Sequence, residues 1–324
     1  MAVNVELVRP VQRKASRVSE FLRNLWENRL LVALAFPGVL LIFIVNYVPM
    51  LGIGIAFQDF RAETGFLSPW IGFKNFELLF GSPVVWRLVR NTLFLNSLFI
   101  ITETIAAVGM ALVLNEIGRR FFRRLFQSVM FLPFFMSWVV VSMLIFGWFD
   151  YEVGLVNVAI RNAGLERIDF FNNPDIWPGL LAFLRVWKTT GSGCILYLAV
   201  LVSIDPQLYE AAAMDGAGRL SRMRYISLPM LVPVIILLVL LSIGRIFYGD
   251  YGMIYAIIGS SAALWPTTDV IDTYIIRALQ STANFGLSTA VGLSQSVLGF
   301  ILVFGSNWVA KKWSQRRGED YSLF

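Results

Sequence analysis

The feature that most constrains this chain is a set of six long stretches with almost no charged residues. They cover residues 30–57, 91–115, 125–149, 179–204, 230–248 and 287–310. A membrane crossing needs about 20 largely apolar residues, and each stretch is near or above that length. The chain is 57% hydrophobic and 15% charged, whereas soluble domains average roughly 45–50% and 25%. The sequence therefore predicts an all-α integral membrane protein with six transmembrane helices.

Two apolar segments require separate interpretation. The first stretch follows a 29-residue leader, and it exceeds the apolar run of about 7–15 residues that is typical of a signal peptide. We therefore interpret 30–57 as a retained transmembrane helix. The segment 251–268 is uncharged but is interrupted by Gly, Ser and Pro266. It is predicted to be an interfacial or re-entrant piece, because broken backbone does not cross lipid.

The positions of Lys and Arg predict the orientation, since these residues accumulate on the cytoplasmic side of membrane spans. With the N-terminus inside, seventeen of the 27 Lys and Arg lie in cytoplasmic segments, seven in outer segments and three within spans. Residues 1–29 and 311–324 are then cytoplasmic, so both termini lie on one side. The formal net charge of +6 thus indicates membrane orientation more than nucleic-acid binding.

The residue inventory excludes several kinds of chemistry. The chain has no His and a single cysteine, Cys194, which excludes a Cys/His metal cluster, a disulfide within the chain and histidine acid–base catalysis. Carboxylate pairs are absent from the spans, so little remains for general acid–base work. The sequence predicts a protein that is not an enzyme.

The loop between the fourth and fifth spans, residues 205–229, carries the most specific pattern. Asp205 is a good N-cap, Pro206 suits the first helical position, and Gly216 or Gly218 can end the helix in a left-handed turn. This predicts a short, separately capped cytoplasmic helix. Four of its residues fall on one face by the i, i+3, i+4 rule, and we expect that face to dock against another surface: Leu208, Ala211, Ala212 and Asp215.

The same loop reads Glu-Ala-Ala, three residues, Gly, nine residues, then Ile-x-Leu-Pro. The residues at the fixed positions are Glu210, Ala211, Ala212, Gly216, Ile226, Leu228 and Pro229. In this pattern the chain resembles the permeases of binding-protein-dependent ABC importers. Weaker motifs resemble the sugar-importer branch, especially permeases for complex polysaccharide fragments such as alginate; they are Arg90-Asn91-Thr92-Leu93, Leu132-Pro133 and Gly154-Leu155-Val156-Asn157.

This resemblance implies a type I importer permease fold, with a permease core at residues 88–310 and the first helix outside that core. It implies that 205–229 is a coupling loop, whose helix sits in a groove of a separate ATP-hydrolysing subunit with Glu210 facing a basic residue. The implied partners are a second, different permease chain, two ATP-binding subunits and a periplasmic or extracellular solute-binding protein. The chain has no G-x-x-x-x-G-K-[ST] phosphate loop, so ATP and Mg are expected on the partner subunits. The implied location is the bacterial cytoplasmic (inner) membrane.

Charged and aromatic residues inside the spans are candidates for a cargo pathway, because intramembrane charge is costly and usually faces a cavity or a partner. The charged candidates are Glu103, Arg185, Lys188 and Arg245, and the aromatic ones are Trp187, Tyr197 and Tyr248. Structural pairing, for example of Glu103 with Arg245, snorkelling and lipid-facing packing are the alternatives. Three cations against one acid favour an acidic, alginate-like oligosaccharide over a neutral one. A secondary transporter or channel is the alternative function, although it would need no coupling loop.

Overall fold

The computed structural model describes residues 23–118 and 120–315, so most of the predicted N-terminal segment and the end of the tail lie outside the described residues. The structure is almost entirely helical. In chain order the α-helices are α1 Arg29–Ile42, α2 Lys74–Gly81, α3 Pro83–Glu116, α4 Arg120–Phe131, α5 Trp138–Phe149, α6 Leu155–Asn162, α7 Trp177–Ser203, α8 Pro206–Met214, α9 Arg219–Arg222, α10 Leu228–Ile243, α11 Tyr251–Ile258, α12 Trp265–Thr268, α13 Ile271–Thr282 and α14 Phe285–Gln315. Within the described ranges, β pairing is limited to one isolated bridge between Gln58 and Trp70.

Within the described residues, up to six helical segments are long and apolar enough to cross a membrane. Five continuous segments are long and apolar enough: Arg29–Phe57, Pro83–Glu116, Pro174–Ser203, Arg219–Ile243 and Phe285–Val309. A sixth consists of Phe121–Phe135 and Trp138–Phe149, which meet at 93°. The predicted fold class is thereby confirmed, but the third span is a broken one.

The chain divides into two compact units, Met1–Gly54 and Ile55–Phe324. In the first unit, α1 continues through a π-helical turn at Phe43–Tyr47, and none of the side chains of α1 is buried. Such a surface suits contact with lipid tails.

The second unit is organised around α3 and α7, which pack along each other over most of their lengths. One apolar cluster joins the first halves of these helices to α5 and α11, and its members include Phe99, Ile145, Trp177 and Ile254. Another joins their second halves to the beginning of α10, and its members include Ala111, Leu201 and Leu231.

The break in the third span follows from its sequence and from its neighbour. Pro133 has no backbone N–H and cannot continue the hydrogen-bond ladder of α4, and Ser137 caps the start of α5 by accepting a hydrogen bond from the N–H of Val140. A Cβ atom at Gly191 of α7 would collide with the backbone carbonyl of Met130. Glycine at 191 therefore permits the backbone of α7 to touch the end of α4.

The fifth span also ends differently from the prediction. The helix α10 ends at Ile243, and residues 244–250 continue as turns, so Arg245 and Tyr248 lie beyond the helix. A Cβ at Gly244 would press on the side chain of Val303, which shows how closely α14 approaches at this point. The close packing and the turn geometry end the helix where hydropathy alone predicted continuation.

The irregular backbone after α10 is stabilised by buried amide side chains. Asn96 of α3 donates to the carbonyls of Ile246 at 2.7 Å and Tyr248 at 3.2 Å, and Gln295 of α14 donates to the carbonyl of Phe247. These bonds satisfy carbonyls that helix geometry would otherwise pair, which is the condition for irregular backbone at membrane depth. The following helix, α11, has eight residues and buries four of them. At about 12 Å it is too short to cross a bilayer.

Candidate functional site

Two adjoining cavities lie between α3, α7, α10 and the irregular segment after α10. The first has a volume of about 390 Å³ and the second about 380 Å³. Their linings share four residues, which are Ile100, Glu103, Ser242 and Arg245. Polar groups from two helices and from the turn after α10 thus meet on the wall that the two cavities share.

The second cavity contains a charged network centred on Arg185. Its Nε donates to Glu103 Oε1 at 2.8 Å, and its NH1 lies 3.5 Å from Asp250 Oδ2. The hydroxyl of Thr189 donates to the same Glu103 oxygen at 2.8 Å. The sequence suggested a pairing of Glu103 with Arg245, but the structure pairs Glu103 with Arg185, because these two side chains face each other across the α3–α7 interface.

Arg245 lines both cavities and is exposed to them. Within the described part of the chain, its guanidinium has no ion pair and no side-chain hydrogen bond. Because Asp250 joins Glu103 on the wall, the second cavity holds two carboxylates and two guanidiniums. This corrects the count of three cations against one acid, and it leaves Arg245 as the cation available to an anion.

Lys188 is placed away from both cavities. It is 8% exposed, and its Nζ donates to the backbone carbonyl of Phe134 at 2.9 Å. The ammonium also lies 5.2 Å from the ring centre of Trp138 and 5.5 Å from that of Phe134, within the range of cation–π attraction. Its partners therefore belong to the break in the third span.

The structure places the three predicted aromatic residues in different environments. Tyr197 lines the first cavity and Tyr248 the second, and the Tyr248 hydroxyl is hydrogen-bonded to that of Ser296 at 2.9 Å. Trp187 instead packs, partly buried, against the apolar cluster of α3, α5 and α11. Tyr251 of α11, which sequence reasoning did not select, lines the second cavity as well.

Sequence reasoning also missed Asp250 and Asn96 as cavity residues. Asp250 lies just beyond the predicted fifth span, 230–248, and it reaches Arg185 because α10 ends early. The half-buried Asp272 supports this wall by accepting a hydrogen bond from the N–H of Gly249. Desolvation raises the pKa of its carboxyl although it accepts hydrogen bonds from Gly249 and Gln295. The available signals were Gly244, Gly249 and an Asn within an apolar span.

The coupling loop has the predicted capped helix, α8. Asp205 accepts a hydrogen bond from the N–H of Gln207 at 2.9 Å, with Pro206 in the first turn. At the other end Gly216 has φ of +81°. The N–H of Gly216 bonds to the carbonyl of Ala213 and that of Ala217 bonds to the carbonyl of Ala212, which is the Schellman arrangement. Of the two glycines offered by the sequence, Gly216 ends the helix.

The faces of α8 differ in exposure. Leu208, Glu210, Ala211 and Asp215 are exposed, whereas Ala212 is only half-buried. The side facing the rest of the chain carries Tyr209, whose hydroxyl is hydrogen-bonded to Ser227 Oγ at 2.9 Å. Ile226 packs against the apolar cluster of α3, α7 and α10, and the remaining fixed positions, Leu228 and Pro229, are exposed at the start of α10.

The Gly-Leu-Val-Asn motif forms the N-terminal end of α6, with Gly154 as its N-cap residue. A Cβ at Gly154 would overlap the backbone of Asp150, and the buried Asn157 donates to the carbonyls of Asp150 and Ile168 at 3.1 and 2.9 Å. The N–H groups of Val153 and Glu152 hold the pKa of the Asp150 carboxyl below its usual value. This motif has a structural role.

Comparison with known proteins agrees with this fold and this loop. Residues 103–315 match the family described as binding-protein-dependent transport system inner membrane component. Protein LplB of Bacillus subtilis (strain 168) is 37% identical over 302 residues, covering 93% of this chain and 94% of LplB. The polygalacturonan/rhamnogalacturonan transport system permease protein YteP of the same organism is 36% identical over 303 residues, with the same coverage.

Solved structures give the same result. A chain of a bacterial alginate ABC transporter, in complex with an alginate pentasaccharide-bound periplasmic protein, is similar with a TM-score of 0.81 and 30% identity, over 90% of this chain and 97% of that one. A second structure, of a bacterial ABC transporter involved in the import of the acidic polysaccharide alginate, has a TM-score of 0.81, 31% identity and coverage of 90% and 98%.

The helical fold and the pattern of the 205–229 loop are those of an importer permease. The chain belongs to the family of binding-protein-dependent transport system inner membrane components. It is a sugar ABC importer permease, as the resemblance implied, and the alternative of a secondary transporter or channel is set aside.

Proposed function

We propose that this chain forms the translocation pathway of an ATP-driven importer for an acidic, alginate-like oligosaccharide. The observation that carries the proposal is Arg245, a guanidinium without an acidic partner among the described residues, on the wall shared by two cavities. A guanidinium binds carboxylates with two parallel hydrogen bonds. The uronate carboxylate of an acidic sugar would complete this pairing.

Two further observations support an acidic sugar. The cavities present Tyr197, Tyr248 and Tyr251, and aromatic faces with a few fixed polar groups are typical of sugar sites. The names of two similar proteins refer to polygalacturonan and alginate, both of which are polymers of uronic acids. A neutral oligosaccharide is the alternative cargo, because the charges of the second cavity balance.

In the proposed assembly the permease works with a second, different permease chain, two ATP-binding subunits and an external solute-binding protein. ATP and Mg reside on the ATP-binding subunits, and both termini of this chain are cytoplasmic. The exposed Glu210 and Ala211 of α8 then dock on an ATP-binding subunit. The pathway is lined by Arg185, Glu103 and Arg245. Lys188 lies outside the pathway and stabilises the break in the third span. Trp187 also lies outside it and packs against the apolar core.

The cargo is tested with a matched pair of sugars. The assembled complex and its binding protein are given an oligouronate, or the same oligosaccharide with its carboxyl groups chemically reduced to alcohols. We expect the acidic form to stimulate ATP hydrolysis, and we expect Arg245→Gln to raise its half-saturating concentration about tenfold, which corresponds to about 1.4 kcal/mol. Arg161→Gln, at an exposed cation outside both cavities, is the control. Stimulation by the reduced sugar alone would sink the acidic-cargo proposal.

The docking role is tested by reversing one charge. Glu210→Lys should detach the ATP-binding subunits or abolish stimulation, because the exposed carboxylate would be replaced by a cation facing a basic partner. Co-purification and ATP hydrolysis are measured together. A complex that retains its ATP-binding subunits and transports at the normal rate would contradict this role.

A further inference from the structure

Among the residues that the structure describes, one ion pair connects the coupling loop to the end of α3. Arg222 NH2 lies 3.5 Å from Glu116 Oε2, and the two side chains are 22% and 15% exposed. The Nε of Arg222 is buried and has no hydrogen-bond partner in the described part of the chain. Glu116 is therefore the anchor of this guanidinium.

The ion pair joins the C-terminal ends of two helices, α3 and α9. Glu116 is the last residue of α3, and Arg222 is the last residue of α9, which follows α8 directly. Both line a cavity of about 390 Å³ together with Arg123, Tyr209 and Glu210. The pair thus lies directly behind the helix that is proposed to dock.

The helix α3 extends from this pair to the cargo cavities. Glu103 is on the same helix, thirteen residues before Glu116, which corresponds to about 20 Å along the axis. Asn96 lies two turns further and holds the irregular backbone beside Arg245. An uninterrupted helix moves as a unit, so a displacement at Glu116 reaches the cavity wall.

The apolar contacts in the same region do not fix the position of the coupling loop relative to α3 as well as a charged pair does. Leu114, Tyr209 and Ile226 belong to or pack on one cluster, and such burial is non-directional and tolerates sliding. A partly buried ion pair has a preferred geometry and is costly to break by removing one partner.

We propose that the Glu116–Arg222 ion pair couples the movement of α3 to that of the coupling loop. Glu116 and Arg222 are then positioning residues for ATP-driven transport. When α8 moves with its ATP-binding subunit, α9 moves with it and draws the end of α3 through this pair. The inference rests on the proposed function, because it assumes that ATP-binding subunits move α8.

The test is a charge swap in the complete complex with its binding protein. Glu116→Gln and Arg222→Gln should each lower cargo-stimulated ATP hydrolysis at least about fivefold, while basal hydrolysis and co-purification of the ATP-binding subunits persist. The double variant Glu116→Arg with Arg222→Glu restores the attraction in reverse and should recover most of the stimulation. Glu27→Gln is the matched control, since Glu27 pairs with Arg23 at 3.6 Å through side chains more than half exposed.

Each outcome has a defined meaning. Normal stimulation in both single variants overturns the proposal, and so does a swapped variant that assembles but is stimulated no better than the weaker single variant. If the single variants fail to assemble, but the swapped variant assembles and shows cargo-stimulated ATP hydrolysis, the result supports the proposed role of the ion pair. A wild-type complex that shows no cargo-stimulated hydrolysis with any sugar contradicts the proposed function. The ion pair is then tested by the ATP-dependent change in distance between spin labels on α3 and α8, which both single variants should alter and the swap should restore. The wild-type change in both single variants overturns the proposal.

Discussion

Arg185 and Lys188 lie three residues apart on α7, and the structure gives them different partners. Arg185 is held by Glu103 and Asp250 on a cavity wall, whereas Lys188 is held by the Phe134 carbonyl behind it. The sequence identified both as costly intramembrane charges. Residue type and spacing alone could not predict that the two side chains have different partners. Their separation depends on the broken third span, because the freed carbonyl of Phe134 supplies the partner of Lys188.

Lys188 provides a prediction at this scale. Lys188→Met removes a charge-assisted hydrogen bond of about 1.5–3 kcal/mol and leaves the Phe134 carbonyl without its donor. We expect a lower melting temperature of the purified complex and an unchanged preference between the acidic sugar and its carboxyl-reduced form. Unchanged stability together with a selective loss of response to the acidic sugar would contradict this structural role and would support a role for Lys188 in the cargo pathway.

At the scale of elements, the apolar stretches predicted helices wherever hydropathy decides the outcome, as in α3, α7 and α14. The sequence did not predict the break between Phe135 and Trp138 or the early end of α10. Both depend on contacts between distant residues: Gly191 against Met130, and Asn96 and Gln295 with the carbonyls of 246–248. Those contacts also place Asp250 and Arg245 on the cavity wall, so the site was less predictable than the fold.

Two glycines of α7 test the contact at the break. Gly191→Ala places a Cβ on the Met130 carbonyl, and Gly193→Ala places one 3.4 Å from the Ala107 side chain, an ordinary contact. We expect the first change to destabilise the protein by about 1–3 kcal/mol and the second to have little effect. Thermal unfolding of the two variants, measured side by side in the same detergent, decides the matter, and equal melting temperatures would refute the close approach.

Two glycines of the coupling loop form a similar pair. Gly216 has φ of +81° and Gly218 has φ of −69°, so alanine is strained only at the first position, by roughly 1–2 kcal/mol. Gly216→Ala should loosen the end of α8 and weaken retention of the ATP-binding subunits, while Gly218→Ala should retain them as the wild type does. Retention is measured by co-purification in rising salt. The same release profile for both variants would show that the left-handed turn is not needed for docking.

At the scale of the whole molecule, the sequence predicted the fold class and the family, and both are confirmed, because a membrane protein reveals its spans through hydropathy. The fixed spacing also predicted the capped helix of the 205–229 loop, whose docking role stays a prediction. The cargo depends on a cavity wall assembled from three helices and a turn, which spacing could not reveal. Within the described residues, that wall carries two carboxylates and two guanidiniums, and Arg245 is the guanidinium without an ion pair. The central claim is therefore that the chain moves a carboxylate-bearing oligosaccharide in response to ATP.

Uptake into proteoliposomes tests this claim most directly. The full complex is reconstituted with ATP inside the vesicles and binding protein outside, and labelled oligouronate is compared with its carboxyl-reduced form at equal length. We predict ATP-dependent accumulation of the acidic oligosaccharide and much less of the reduced one, with the difference diminished by Arg245→Gln. Equal accumulation of both sugars, or accumulation of the reduced sugar alone, would contradict the account.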